Sequence, residues 1–271
     1  MKPATLSVPE VLDETGDLVS RLVAPWAGVL WLACLPLRLL QVEFAASLMA
    51  LGSDASRHGQ LLLGLASASA AAFVLATFGR AVFSRACLLA MRTGASPGPR
   101  ALAVGATPFL THLYLASIAE VLFFALGLTA VMVPIAITLS ALAAAVAPLS
   151  ERPGLVGPLK LVSASGARAG TLVGLQLVFL VGFAIAFANV AAAFLAGLWL
   201  AGAVPGVDIA SWTHRLSVGP RFMLLVWAGA TLVIEPFWLA AHAAYVHRLR
   251  ARESGEDLRA WFERLRAPEA A

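Results

Sequence analysis

Long apolar stretches separated by short polar segments run along the whole chain, and they predict helices that cross a membrane. A crossing takes about 20 helical residues. Stretches of that length lie at 23–51, from Leu61 onwards, at 168–203 and at 223–245. Residues 104–149 are almost wholly apolar and too many for one crossing, so they predict two spans joined by a tight turn. With polar loops at 52–60 and 204–220, the pattern predicts about six spans.

Three shorter segments predict amphipathic helices at the membrane surface. In the first, residues 7–22, Ser7 and Glu10 have the spacing of a capping box, in which each side chain bonds an amide at the helix start. Its apolar residues share one face at helical spacing: Val8, Val11, Leu12, Leu18, Val19 and Leu22. Residues 155–165, after the fourth span, and the tail from Ser254 predict similar interfacial helices.

The predicted fold is therefore an all-α, polytopic membrane helix bundle. We expect an N-terminal amphipathic helix at 1–22, a transmembrane domain at 23–249 and a C-terminal interfacial helix and tail at 250–271. Composition agrees, since 60% of the residues are hydrophobic and 13% charged, against roughly 45–50% and about 25% in globular proteins. We expect no cleavable signal peptide, because four acids precede the first apolar run: Glu10, Asp13, Glu14 and Asp17.

The distribution of basic residues predicts the orientation. Six spans put both termini on one side, which would carry fourteen arginines and lysines: Lys2, Arg21, Arg85, Arg92, Arg100, Arg152, Lys160, Arg168, Arg248, Arg250, Arg252, Arg259, Arg264 and Arg266. The other side would carry Arg57, Arg215 and Arg221. Because basic loops stay in the cytoplasm, we expect both termini on the cytoplasmic side of the inner membrane. Basic residues near helix ends indicate lipid headgroups and not nucleic acid as partners. We also expect membrane-protein partners.

Motifs of familiar enzymes are absent from the sequence. It contains no HExxH zinc helix, no GxxxxGK[ST] phosphate loop and no GxSxG nucleophile elbow. No two of its histidines have the i, i+4 spacing that a helical metal site favours. We therefore expect no catalytic residues, no metal and no cofactor.

Ionisable residues inside the predicted spans form the candidate site, a hypothetical ligand or ion path: Arg38, Glu43, Glu120, Glu235 and His242. A charge at the bilayer centre costs roughly 2.5–3.5 kcal/mol, so we expect these side chains to face inward, with Arg38 neutralising at least one glutamate. The same set suits two roles, a polar lock that fixes which helices meet or the lining of a path for a headgroup, a proton or a solute. On the cytoplasmic face, the acids of the first helix are expected to pair with arginines that follow Tyr245.

Three short stretches together form a recognisable pattern. They are the opening from Ser7 to Asp13, the break from Ala147 to Glu151 with the segment from Leu159 to Ser163, and the closing Pro236, Tyr245, Arg248, Arg250, Arg252, Glu253, Asp257 and Leu258. They resemble the membrane-domain family associated with glycerophosphodiester phosphodiesterases. The resemblance implies a six-helix bacterial inner-membrane module without catalytic residues. Two departures from the family pattern are Ser254, which interrupts the Glu-Gly step, and His247, which stands where an acid is usual.

These observations favour a non-enzymatic multi-pass membrane protein, a scaffold or accessory subunit of a cell-envelope assembly. The alternative is a transporter or lipid-handling permease that uses the intramembrane arginine and glutamates. That alternative requires a continuous polar cavity joining them.

Overall fold

The computed structural model describes residues 7–49, 55–126, 160, 169–202 and 220–254. Within these ranges nearly every residue is helical and none lies in a strand, which confirms the all-α class. The turn between the predicted third and fourth spans, the loop at 204–219 and the tail from 255 lie outside the described residues. So does the predicted interfacial helix after the fourth span, except for the helical residue Lys160.

Six α-helices are described, numbered here in chain order: α1 Val8–Asp17, α2 Ala24–Met49, α3 Ala55–Thr93, α4 Ala106–Leu126, α5 Ala169–Gly202 and α6 Pro220–Ser254. A π-helical turn, Leu18–Leu22, follows α1, and a 3-10 turn, Pro99–Leu102, precedes α4. Four helices contain segments long and apolar enough to cross a membrane: Ala24–Met49, Gly59–Thr93, Gly170–Gly202 and Arg221–Leu249. They correspond to the first, second, fifth and sixth predicted spans, and they indicate a membrane-embedded protein.

The amphipathic N-terminal helix is confirmed. The Ser7 hydroxyl accepts a hydrogen bond from the Glu10 amide at 3.4 Å and so caps the first turn of α1. Val11, Leu18 and Val19 of the predicted apolar face are buried.

The polar loop predicted at 52–60 is shorter than expected, because α3 already begins at Ala55. Arg57 and Gln60 are good helix formers, so polarity alone does not end the helix there. Residues 50–54 lie outside the described part of the chain.

The chain divides into two compact units. The first contains the described residues of Met1–Ala24, Ala81–Val173 and Leu239–Ala271, and the second those of Pro25–Arg80 and Gly174–Trp238. In the first unit Phe83, Tyr245 and Leu249 are among the largest fully buried side chains. In the second unit, Leu30, Leu37 and Leu175 are among the largest fully buried side chains.

Helices of the second unit approach closely where glycines meet neighbouring side chains. A Cβ on Gly79 would lie 2.5 Å from the Cβ of Ala33, and a Cβ on Gly229 would lie 2.8 Å from a methyl carbon of Val190. Both distances are far shorter than ordinary carbon contacts. The contacts join α2 to α3 and α5 to α6, and small residues at such positions are how membrane helices pack.

Candidate functional site: a buried arginine–glutamate cluster

One face of α2 carries the polar side chains that build the centre of the second unit. Trp31, Cys34, Arg38 and Gln41 follow one another at intervals of three and four residues, so they lie on one side of the helix. Cys34 is fully buried, and Arg38 is 7% exposed. This stripe faces Glu235 of α6, because two of its members contact that carboxylate.

Glu235 is held by two arginines. Its Oε2 accepts from Nη2 of Arg38 at 3.5 Å, and its Oε1 accepts from Nε of Arg80 at 2.5 Å. Cys34 also donates its thiol to Oε1, with sulfur and oxygen 3.7 Å apart. The side chains of Arg38, Arg80 and Glu235 are 9%, 12% and 6% exposed. We call these three residues the Arg–Glu–Arg cluster.

Arg38 has further neighbours within the second unit. Its Nη1 donates to Oε1 of Gln41 at 2.9 Å, one turn along α2. Its guanidinium carbon lies 5.6 Å from the ring centroid of Trp227, within the range of a cation–π contact. The expectation that Arg38 neutralises at least one glutamate is therefore confirmed for Glu235.

The cluster ties three helices of the second unit to one carboxylate. Arg38 comes from α2, Arg80 from α3 and Glu235 from α6. Two positive charges and one negative charge meet in a largely buried place. Charges taken out of water need close partners to offset their desolvation, and each of the three has one here.

A proline creates a second polar link between α2 and α6. Pro236 has no amide hydrogen, so the carbonyl of Leu232, four residues earlier, loses its helical donor. The indole nitrogen of Trp31 donates to that carbonyl at 2.7 Å. A backbone group freed inside a span is thereby satisfied by a side chain of another helix.

Of the other predicted site residues, Glu43 lies in a separate contact. Glu43, expected to face inward, is exposed and pairs with Arg221 at 3.4 Å, with side-chain exposures of 52% and 55%. The inward expectation was wrong because Glu43 lies five residues beyond Arg38 on α2, about 140° around the helix. Glu120 lies on α4, but its side chain is outside the described part of the structure, so its role stays a prediction. His242 is buried and belongs to the first unit.

The first unit contains the ion pairs expected on the cytoplasmic face. Arg248 of α6 contacts Glu14 of α1 through Nε, and its Nη1 lies 3.4 Å from the carboxylate of Glu10. The pairing of the acidic first helix with an arginine after Tyr245 is thus confirmed. The side chain of Arg248 is 33% exposed, so water screens these pairs more than it screens the cluster.

Arg80 is the cluster residue that sequence analysis missed. It was not among the ionisable residues that were assigned to the candidate site. Its sequence neighbours could have indicated a buried position, because Arg80 lies inside an apolar stretch formed by Phe78, Gly79, Ala81 and Val82.

Comparisons with protein-family models, curated proteins and solved structures find no match to this chain. Among the described residues, no group of three or more histidines, cysteines or acids is placed to hold a metal ion. The candidate site therefore rests on its own geometry.

Proposed function

We propose that this chain is a non-enzymatic multi-pass protein of the inner membrane that serves as a scaffold or accessory subunit of a cell-envelope assembly. The observation that carries this proposal is the Arg–Glu–Arg cluster. Ionisable side chains inside the spans contact one another and join helices α2, α3 and α6 within the second unit. Intramembrane charge used in this way stabilises a particular helix arrangement, which a scaffold needs.

The positions of Arg38 and Glu43 favour the scaffold over the permease. A permease requires its charged residues to line one continuous path. On α2, Arg38 bonds Glu235 in a buried contact, whereas Glu43 bonds Arg221 in a half-exposed one. Two residues of one helix are thus engaged in separate contacts on different faces.

The proposed topology has six spans and two cytoplasmic termini. Four spans are described helices, and the apolar stretch at 104–149 supplies the other two. The basic residues support the orientation. Those described residues that were expected in the cytoplasm all belong to the first unit: Arg21, Arg85, Arg92, Arg100, Lys160, Arg248, Arg250 and Arg252. Arg221, expected on the opposite side, belongs to the second unit.

The resemblance to the membrane-domain family associated with glycerophosphodiester phosphodiesterases agrees with this proposal. Its N-terminal motif coincides with the start of α1, and its closing motif begins at Pro236 in α6. Membership in that family is part of the proposal and rests on those motifs.

Purification of the tagged full chain from its native membranes tests the proposed function. We expect a small set of membrane proteins to co-purify in amounts comparable to the chain, and to be lost when α1 and Arg248 are separated by the charge reversal Glu14→Arg. Arg221→Gln is the matched control and should keep the partners. The proposal fails if the chain purifies alone and, reconstituted in vesicles, drives a solute uptake that Arg38→Gln abolishes.

Topology is tested separately by attaching a reporter to either end of the chain. Both ends should report from the cytoplasm. Ends on opposite sides of the membrane would refute the six-span arrangement.

A further inference from the structure

The helix α5 is the most exposed of the four described spans. Only 11% of its most apolar stretch is buried within the chain, against 17–39% in the other three spans. Three exposed apolar side chains, Val178, Ile185 and Leu200, lie on one side of it, because their spacing is close to whole helical turns. On a helix that crosses a membrane, such a surface contacts lipid or another protein.

A polar side chain lies on this exposed side of α5. Asn189 is exposed and follows Ile185 by four residues, so the two share one face of the helix. The midpoint of the span Gly170–Gly202 is Ala186, three residues or about 4.5 Å along the helix from Asn189. The amide therefore lies near the middle of its span, where the bilayer supplies no water to bond it.

The Asn189 amide uses only part of its hydrogen-bonding capacity. Its Nδ2 donates to the carbonyl of Ile185 at 2.8 Å, which is the only hydrogen bond of this side chain within the described ranges. An asparagine amide has two N–H donors and an oxygen that accepts. One N–H and the oxygen are therefore left facing the hydrocarbon, which costs free energy unless another helix supplies a partner.

A second copy of the chain is the partner that meets this requirement. Copies inserted with the same topology can be related by a twofold axis along the membrane normal, which puts identical residues at the same depth. Asn189 of one copy then lies level with Asn189 of the other, and each amide offers the donor that the other accepts. Ala193 and Ala196 are exposed on the same side of α5, and such small side chains let two helices approach closely. We call Ile185, Asn189, Ala193 and Ala196 the Asn189 face.

We propose that two copies of the chain associate through the Asn189 face of α5, with their Asn189 side chains hydrogen-bonded to each other across the interface. A helix of a different protein would need a polar group of its own at the same depth, whereas a second copy always supplies one. Self-association of this kind goes beyond the proposed scaffold role and does not depend on it.

Cysteine cross-linking in native membranes tests the geometry of the interface. Ala196→Cys places a thiol on the Asn189 face, and mild oxidation should link two copies into a covalent dimer. The native Cys34 and Cys87 are buried, so the unaltered chain should give no such product. Ala184→Cys is the matched control, because Ala184 is also exposed but lies about 140° around the helix from Asn189, and it should not cross-link.

Energy transfer between donor-labelled and acceptor-labelled full chains in lipid vesicles measures the affinity. Asn189→Leu removes the amide and leaves the buried side of α5 unchanged, so it should keep its circular dichroism spectrum and dimerise about tenfold more weakly. Asn189→Gln keeps a donor and an acceptor and should keep most of the association. Ala196→Ile should weaken the dimer by holding the helices apart, whereas Ala184→Ile, the same change outside the face, should not.

Three results would overturn the proposal. The first is an unaltered chain that stays monomeric at every protein-to-lipid ratio. The second is equal dimerisation of Asn189→Leu and the unaltered chain, or equal cross-linking of Ala184→Cys and Ala196→Cys, since either would show association without this interface. The third is a product of Ala196→Cys that contains a different protein in place of a second copy, which would assign the Asn189 face to another partner.

Discussion

Replacing Glu235 by glutamine removes the carboxylate that both arginines of the cluster contact, while the side chain keeps nearly the same size. Two guanidiniums with side chains only 9% and 12% exposed then lose their shared negative partner. Removing one partner of a buried ion pair costs about 3–5 kcal/mol. Because Glu235 serves two cations, we expect the free energy of unfolding to fall by an amount near the upper end of that range.

The measurement is equilibrium unfolding of the full chain in mixed micelles, followed by circular dichroism. Arg221→Gln is the matched control, because it breaks an arginine–glutamate pair in the same unit whose side chains are about half exposed. Exposed pairs are worth about 0–1 kcal/mol, so this variant should lose no more than that. The difference in the free energy of unfolding between Glu235→Gln and Arg221→Gln measures how much burial increases the cost of losing an ion pair.

Replacement of all three cluster residues shows whether Glu235→Gln destabilises the protein by leaving charges unpaired or by disturbing side-chain packing. A triple variant with methionine at Arg38, Arg80 and Glu235 removes all three charges and keeps the apolar volume. Apolar replacement of a buried ion cluster is often neutral or stabilising, so the triple variant should unfold less readily than Glu235→Gln. The reasoning is refuted if Glu235→Gln loses no more than Arg221→Gln, or if the triple variant is the least stable of the three.

Three further changes have defined outcomes. Trp31→Phe leaves the carbonyl of Leu232 without its donor and should lower the free energy of unfolding by about 1–3 kcal/mol. This loss should be smaller in a Pro236→Ala background, in which the helical amide can donate to the same carbonyl. Gly229→Ala would place a Cβ 2.8 Å from a valine methyl carbon and should cost about 1–3 kcal/mol by the same measurement, whereas Gly182→Ala, with its nearest contact at 3.6 Å, should be tolerated. Arg248→Ala should lower the Tm at low salt, and the effect should weaken as salt is added, because these partly exposed pairs are screened.

Local patterns in the sequence predicted the helices well. The spans follow from apolar length, and the start of α1 follows from Ser7 and Glu10, because both depend only on residues close in the chain. The pairing of the acidic first helix with Arg248 was also predictable, since opposite charges at the two ends of the chain were expected on the same side of the membrane. The loop at 52–60 was too long in the prediction because polar residues such as Arg57 also form helices well.

Partners of the buried charges were only partly predictable. Composition required that Glu235 have a partner, and Arg38 was expected to neutralise a glutamate. Apolar length alone does not indicate which glutamate of a span faces inward, so Glu43 and Glu235 looked equivalent. The spacing of Trp31, Cys34, Arg38 and Gln41 on α2 contains the missing information, because it marks one polar face that excludes Glu43.

Arg80 shows why an arginine in a long apolar helix is hard to place from sequence. The helix α3 has 39 residues, about 58 Å at 1.5 Å per residue, nearly twice the roughly 30 Å of a bilayer core. Apolar length therefore does not determine which part of α3 lies in lipid, and an arginine can either extend to the surface or stay buried with a partner. An unpaired arginine at the bilayer centre costs roughly 2.5–3.5 kcal/mol, and a close buried carboxylate offsets part of that cost. Its contact with Glu235, 155 residues further along the chain, decides between these alternatives. The cluster thus shows which helices α3 contacts through Arg80.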